Sequence, residues 1–163
     1  MAGSEAELWV GTLNDGLLRW NGGQTERIGE EQGLPDRRVE QIALAGATAF
    51  VDTPVGVAEV RGGKIARVLA KGRYARALSV DGNSLLVGQV EAGVMRVSLA
   101  GAETSTRRPI VARISDLAKS PHEMHQTVEQ ILNVSETRYA LAADGLLRQE
   151  SDGAWRMAHG PRR

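Results

Sequence analysis

The chain has 163 residues, with 20 Lys and Arg against 20 Asp and Glu, 42% hydrophobic residues and 4% aromatic ones, the profile of one soluble globular domain with an ordinary core. Zero net charge lacks the cation excess that phosphate backbones and acidic membranes select, and the absence of Cys excludes disulfides, thiolate metal sites and Cys nucleophiles. No apolar run approaches the roughly 18 residues of a membrane span, and the small, acidic start Met1 to Glu7 does not have the order of a signal peptide, so the compartment stays open.

Nineteen glycines point away from a helical bundle and toward a repeat. The first unit is Leu8 to Trp20, a strand, a tight Asn14-Asp15-Gly16 turn and a second alternating strand, which reads as a hairpin. The same grammar returns at Ala49 to Val60, at Leu85 to Val97 and at Tyr139 to Arg148. Taking Gly16, Gly56, Gly93 and Gly145 as register marks, the separations are 40, 37 and 52 residues, so the third gap carries an insertion. An apolar strand is expected ahead of each later hairpin, at Val39 to Leu44, Tyr74 to Val80 and Val128 to Val134, with Val-Glu-Gln-Ile repeated verbatim at 39 and 128. A short outer strand is expected after the hairpins at Gln24 to Ile28, Lys64 to Leu69 and Trp155 to Ala158.

Four short strands in about 40 residues make the unit of a β-propeller blade. The expected fold is therefore all-β, of propeller type, with four repeats forming four-stranded antiparallel blades in one domain. The blades fall at about residues 8–38, 39–72, 73–127 and 128–160. Blade one is expected to lack its inner strand, because residues 1–7 show no apolar alternation. An exposed blade face needs cover, and three arrangements supply it: a closed four-bladed ring, a homodimer whose two arcs complete one ring, or a longer parent chain. Within the insertion, Ile110 to Ile114 alternates like an extra outer strand or a covering arm, and a short helical turn is expected around Pro121.

The run from Leu8 to Ile42 resembles a two-component regulator propeller repeat. It has an aromatic strand ending in Gly11-Thr12, then Gly16-Leu17 with Trp20, then Gly33-Leu34-Pro35 ahead of Val39-x-x-Ile42. Later copies decay, with Asp52 in place of the first glycine in copy two and Gln89 in place of threonine in copy three. The resemblance implies the sensory part of a larger bacterial regulator, periplasmic in that setting, ahead of a kinase, cyclase or DNA-binding output. It brings no catalytic residues and no cofactor.

The expected function is thus a non-enzymatic sensory or interaction module, with a small-molecule or glycan ligand, self-association, no nucleic acid and no membrane insertion. The alternatives are a propeller enzyme of lyase or glycosidase type with its site at the channel mouth, and a structural half-propeller that assembles with a second chain. No catalytic, metal or cofactor residue is assigned. Candidate ligand or partner contacts are the basic loop pairs Arg37, Arg38 and Arg107, Arg108, together with His122 and His125. The H-x-x-H spacing of the two histidines lacks the H-E-x-x-H pattern of zinc hydrolases. Asp15, Asp52, Asp81, Asp144 and Asp152 read as turn residues, and Trp9, Trp20 and Trp155 as packing between blades.

Overall fold

Alternation of apolar and polar residues between glycine turns yields sixteen short strands in the computed structural model, which describes residues 1–4, 7–100, 111–112 and 127–159. They form four antiparallel sheets, each of four strands in chain order. The first holds β1 (Ala2–Gly3), β2 (Leu8–Gly11), β3 (Leu17–Trp20) and β4 (Thr25–Ile28); the second holds β5 (Ile42–Ala45), β6 (Thr48–Thr53), β7 (Gly56–Arg61) and β8 (Lys64–Leu69). The third holds β9 (Ala75–Asp81), β10 (Ser84–Gln89), β11 (Val94–Ser98) and β12 (Val111–Ala112); the fourth holds β13 (Val128–Val134), β14 (Thr137–Ala142), β15 (Gly145–Gln149) and β16 (Trp155–His159). The fold is all-β and of propeller type, four four-stranded blades, as the repeat predicts.

Two details differ from the sequence reading, and a third decides between its alternatives. The first sheet does have an inner strand, β1, reduced to two residues that pair Ala2 with Trp9 and Gly3 with Leu8; a strand this short leaves no alternation to detect. Second, Val39 precedes β5 instead of opening it: its N–H donates to Thr12 O at 2.7 Å, tying this segment to the first sheet. Third, the strand expected in the insertion is the outer strand β12, pairing Val111 with Val97 and Ala112 with Arg96. The helical turn expected around Pro121 lies outside the described residues.

The chain divides into two compact units, Met1–Leu78 and Ser79–Arg163, with the boundary inside β9. In the first unit, Trp9, Leu17 and Ile28 of the first sheet pack on Ile42, Val51, Ala58 and Val60 of the second, with Leu34 and Val39 filling the seam. Burial of these branched side chains at about 25 cal/mol per Å² is the main stabilising term. The close approach depends on two glycines. A Cβ at Gly11 would lie 2.4 Å from Val39 Cγ1, and Gly16, at φ 79°, has Ile28 O where its Cβ would be. Arg19 lies over the buried Trp9 ring, 5.2 Å from its centroid. In the second unit the core is Leu85, Leu86, Val87, Val94 and Val97 with Val128, Ile131, Ala140 and Leu147.

The fourth sheet carries an apolar face turned to solvent, and the first carries one that is only partly exposed. In the fourth sheet the register places Leu132 beside Tyr139, Leu141 beside Leu146, and Val134 beside Thr137 on one face. Leu132, Leu141 and Val134 are 42%, 45% and 55% exposed. In the first sheet Leu8 and Trp20, Val10 and Leu18 share a face, on which Trp20 is 37% exposed.

Candidate functional site

Two clusters of polar side chains stand out, one in each unit. The first grows from β6. Thr12 and Thr53 each donate a hydroxyl hydrogen bond to the carbonyl of the turn glycine that follows, Gly16 at 2.8 Å and Gly56 at 2.6 Å. This equates Asp52 with Gly11, as the repeat register predicts. Asp52 is not a turn residue, however: it lies within β6, pairs with Val57 of β7 and is fully buried. The strand places its side chain on the inward face, and turn propensity is overridden by register.

Neither carboxyl oxygen of Asp52 has a hydrogen-bond partner among the described residues. Burial, reinforced by the nearby negative charge of Glu40 and opposed by Arg76, pushes its pKa up to about 8, so the group is neutral at pH 7. Glu40 is anchored from several sides. Arg38 Nε donates to its Oε1 at 2.7 Å, the Tyr74 hydroxyl donates to the same oxygen at 2.8 Å, and Arg76 Nε stands 3.8 Å from Oε2. The hydrogen bond to Glu40, with burial, holds the Tyr74 phenol above its ordinary value.

The second cluster is built across the strands of the second unit. Asp81, at the end of β9, accepts from Arg96 Nη1 of β11 at 2.6 Å and from Arg138 Nη2 of β14. Arg138 Nη1 donates to Gln149 Oε1 at 3.0 Å, while its buried Nε has no partner among the described residues. Arg148 Nη2 donates to Glu150 Oε1 at 2.9 Å, which holds the guanidinium above its usual value. Arg96, Glu136, Arg138, Arg148, Gln149 and Glu150 line a cavity of about 620 Å³, together with small turn residues. A space of this size lies in the range of small-molecule sites, but its lining is polar.

Of the contacts expected from sequence, Arg37 and Arg38 are exposed on the loop ahead of Val39. Arg38 joins the first cluster through Glu40, and the Arg37 carbonyl accepts from Gly16 N–H at 2.9 Å. Arg107, Arg108, His122 and His125 lie outside the described residues. Asp152 behaves as expected, its Oδ1 accepting the Ala154 N–H at 2.8 Å, whereas the Asp81 carboxylate goes to two arginines. Trp9 is buried in the core, but Trp20 is exposed and Trp155 half-buried. Sequence reasoning missed Glu40, Tyr74 and Arg76, and missed the trio Arg96, Arg138 and Arg148. The available signal was Asp52 itself, an acid in a glycine position.

No protein-family model matches the chain, and no curated protein matches it. Solved structures do, at low identity. The extracellular domain of BT4673 from B. thetaiotaomicron, assigned to a hybrid two component system, is similar over 100% of this chain and 21% of its own, at 18% identity and TM-score 0.69. The β-propeller domain of Myceliophteria thermophila Cps50 (Swd1) is similar over 98% of this chain and 58% of its own, at 15% identity and TM-score 0.65. An ancestral GH74 enzyme is similar over 96% of this chain and 23% of its own, at 14% identity and TM-score 0.64. These likenesses carry the fold, and the chain spans between about a fifth and three fifths of these three chains.

Proposed function

We propose that the chain is a non-enzymatic sensory or interaction module, built from two-component regulator propeller repeats, that works by contact. One observation carries this reading: the polar and apolar surfaces suited to binding face solvent, while the acid whose pKa is most displaced is sealed inside. An enzyme of lyase or glycosidase type needs an acid and a base that reach substrate. Asp52 and Glu40 form the pairing with the right asymmetry, yet Asp52 is 0% exposed. The resemblance of Leu8 to Ile42 to the regulator repeat, and the fold likeness to the BT4673 extracellular domain, support the sensory reading.

The ligand surface in this reading is the arginine-lined cavity of the second unit. Three guanidiniums face two carboxylates in its lining, and the Arg148–Glu150 pair is surface-exposed enough to exchange its carboxylate for that of a ligand at small cost. An anionic small molecule or acidic glycan fits this chemistry. Titration calorimetry with inorganic phosphate, glucuronate and glucose tests it. Glucuronate or phosphate binds, glucose does not, and Arg148→Gln weakens the anion about tenfold, the loss of roughly one charge-assisted hydrogen bond. Binding of neither anion, or binding unchanged in Arg148→Gln, removes this site from the reading.

The partner in this reading is a second copy, meeting the first through the exposed apolar faces of the first and fourth sheets. A contiguous exposed apolar face marks an interaction surface in a soluble protein. A second copy laid against these faces takes both out of water.

A further inference from the structure

Asp52 is joined to the Arg37–Arg38 loop by a short chain of contacts. Its backbone brackets the lead-in to β5: Glu40 N–H donates to Asp52 O at 3.3 Å, and Asp52 N–H donates to Gln41 O at 2.9 Å. Gln41 Oε1 in turn accepts the Leu78 N–H of β9. Arg38 grips Glu40 by its side chain and is itself turned back by Asp36, whose Oδ1 accepts the Arg38 N–H at 2.8 Å. Segment 36–41 therefore runs from an exposed basic loop to a buried carboxyl with no regular ladder of its own ahead of Ile42; buried Val39 pins its middle to Thr12, and only residues 40–41 depend on Asp52.

We propose that Asp52 is a proton-operated latch on the end of this segment: neutral, it lets residues 40–41 close over the inner edge of the second sheet, and ionised, it releases them together with the Arg38 side chain that grips Glu40. The physical reason is burial without a hydrogen-bond donor, compounded by charge crowding. Glu40 faces Asp52 from the lead-in to β5 and Arg76 faces it from β9; Arg38 and Tyr74 reach Glu40. On its own sheet face the other acid is Glu59, held between Arg61 and Arg67 at 2.5 Å each. A second negative charge beside Glu40, without solvent or a hydrogen-bond donor, is costly. Opening of residues 40–41, which admits water to the carboxylate, relieves it and loosens the anchor of Arg38. Because burial places the ionisation of Asp52 near pH 8, the latch operates between about pH 7 and 9, one unit to either side.

Amide hydrogen exchange on the full chain, corrected for the intrinsic pH dependence of exchange, tests the latch in wild type and Asp52→Asn. Protection of amides 40–42 falls at least tenfold between pH 7 and 9 in wild type and stays level in Asp52→Asn. A level wild-type profile, or a fall of the same size in both proteins, overturns the proposal. Should Asp52→Asn not fold, carbon-detected NMR of the wild-type carboxyl decides. A midpoint near pH 8 with matching shifts of the Glu40 and Gln41 amides supports the latch. A midpoint in the ordinary carboxylate range, or a midpoint near 8 with those amides unmoved, refutes it.

Discussion

At Asp52 a single side chain sets both a structural cost and a pH response. Its raised pKa means that the folded chain holds a proton that the unfolded chain, with an ordinary aspartate near 3.9, releases. Between about pH 4 and 8 the folded state therefore binds more protons, so stability falls as pH rises through this window and levels off above it. The slope from this one group reaches about 1.4 kcal/mol per pH unit at most. Asp52→Asn removes it, so urea unfolding of the two proteins at a series of pH values gives curves that diverge between pH 4 and 8. Parallel curves contradict the assignment. Gly11, the equivalent position in the first sheet, shows why the site was glycine to begin with, since Val39 crosses where a side chain would stand. Gly11→Val loses about 1–3 kcal/mol in the same assay, from overpacking.

Hairpins were the most legible elements. Their turn glycines and alternating strands depend only on local backbone preference and on the period-two alternation of side chains, and all four appear where expected. The inner strands β5, β9 and β13 were legible as apolar runs, β13 with both its edges, but the start of β5 was not. Val39 looks like strand and serves as seam, because its N–H is taken by Thr12 of the neighbouring sheet, a long-range choice that periodicity does not encode. β1 is two residues long and left no pattern. The polar clusters were illegible for a related reason: Arg96 and Arg138 are 42 positions apart (138 less 96) and meet only because both pair with Asp81. The second sheet carries its own test of buried charge. Glu59 is 1% exposed and held by Arg61 and Arg67. Arg67→Ala leaves that carboxylate buried with half its compensation and costs about 3–5 kcal/mol, whereas Glu59→Met, which removes the buried charge itself, costs about 1–2 kcal/mol or less. The reverse order in thermal unfolding contradicts this account of the triad.

Across the whole molecule, the distribution of surface explains the reading as a contact module. Within each unit the sheets bury apolar faces, but the register leaves Leu132, Val134 and Leu141 on one solvent-facing side of the fourth sheet, and Leu8, Val10, Leu18 and Trp20 on one partly exposed side of the first. Scattered exposed leucines are ordinary, but apolar residues sharing a sheet face are not. Self-association through these faces is the central expectation of the proposed function. Light scattering after size-exclusion chromatography at two concentrations, on wild type and on Leu132→Lys with Leu141→Lys, measures it most directly. The account predicts a wild-type mass of twice 17.5 kDa at the higher concentration and 17.5 kDa for the doubly substituted chain. A wild-type mass of 17.5 kDa at both concentrations would contradict it.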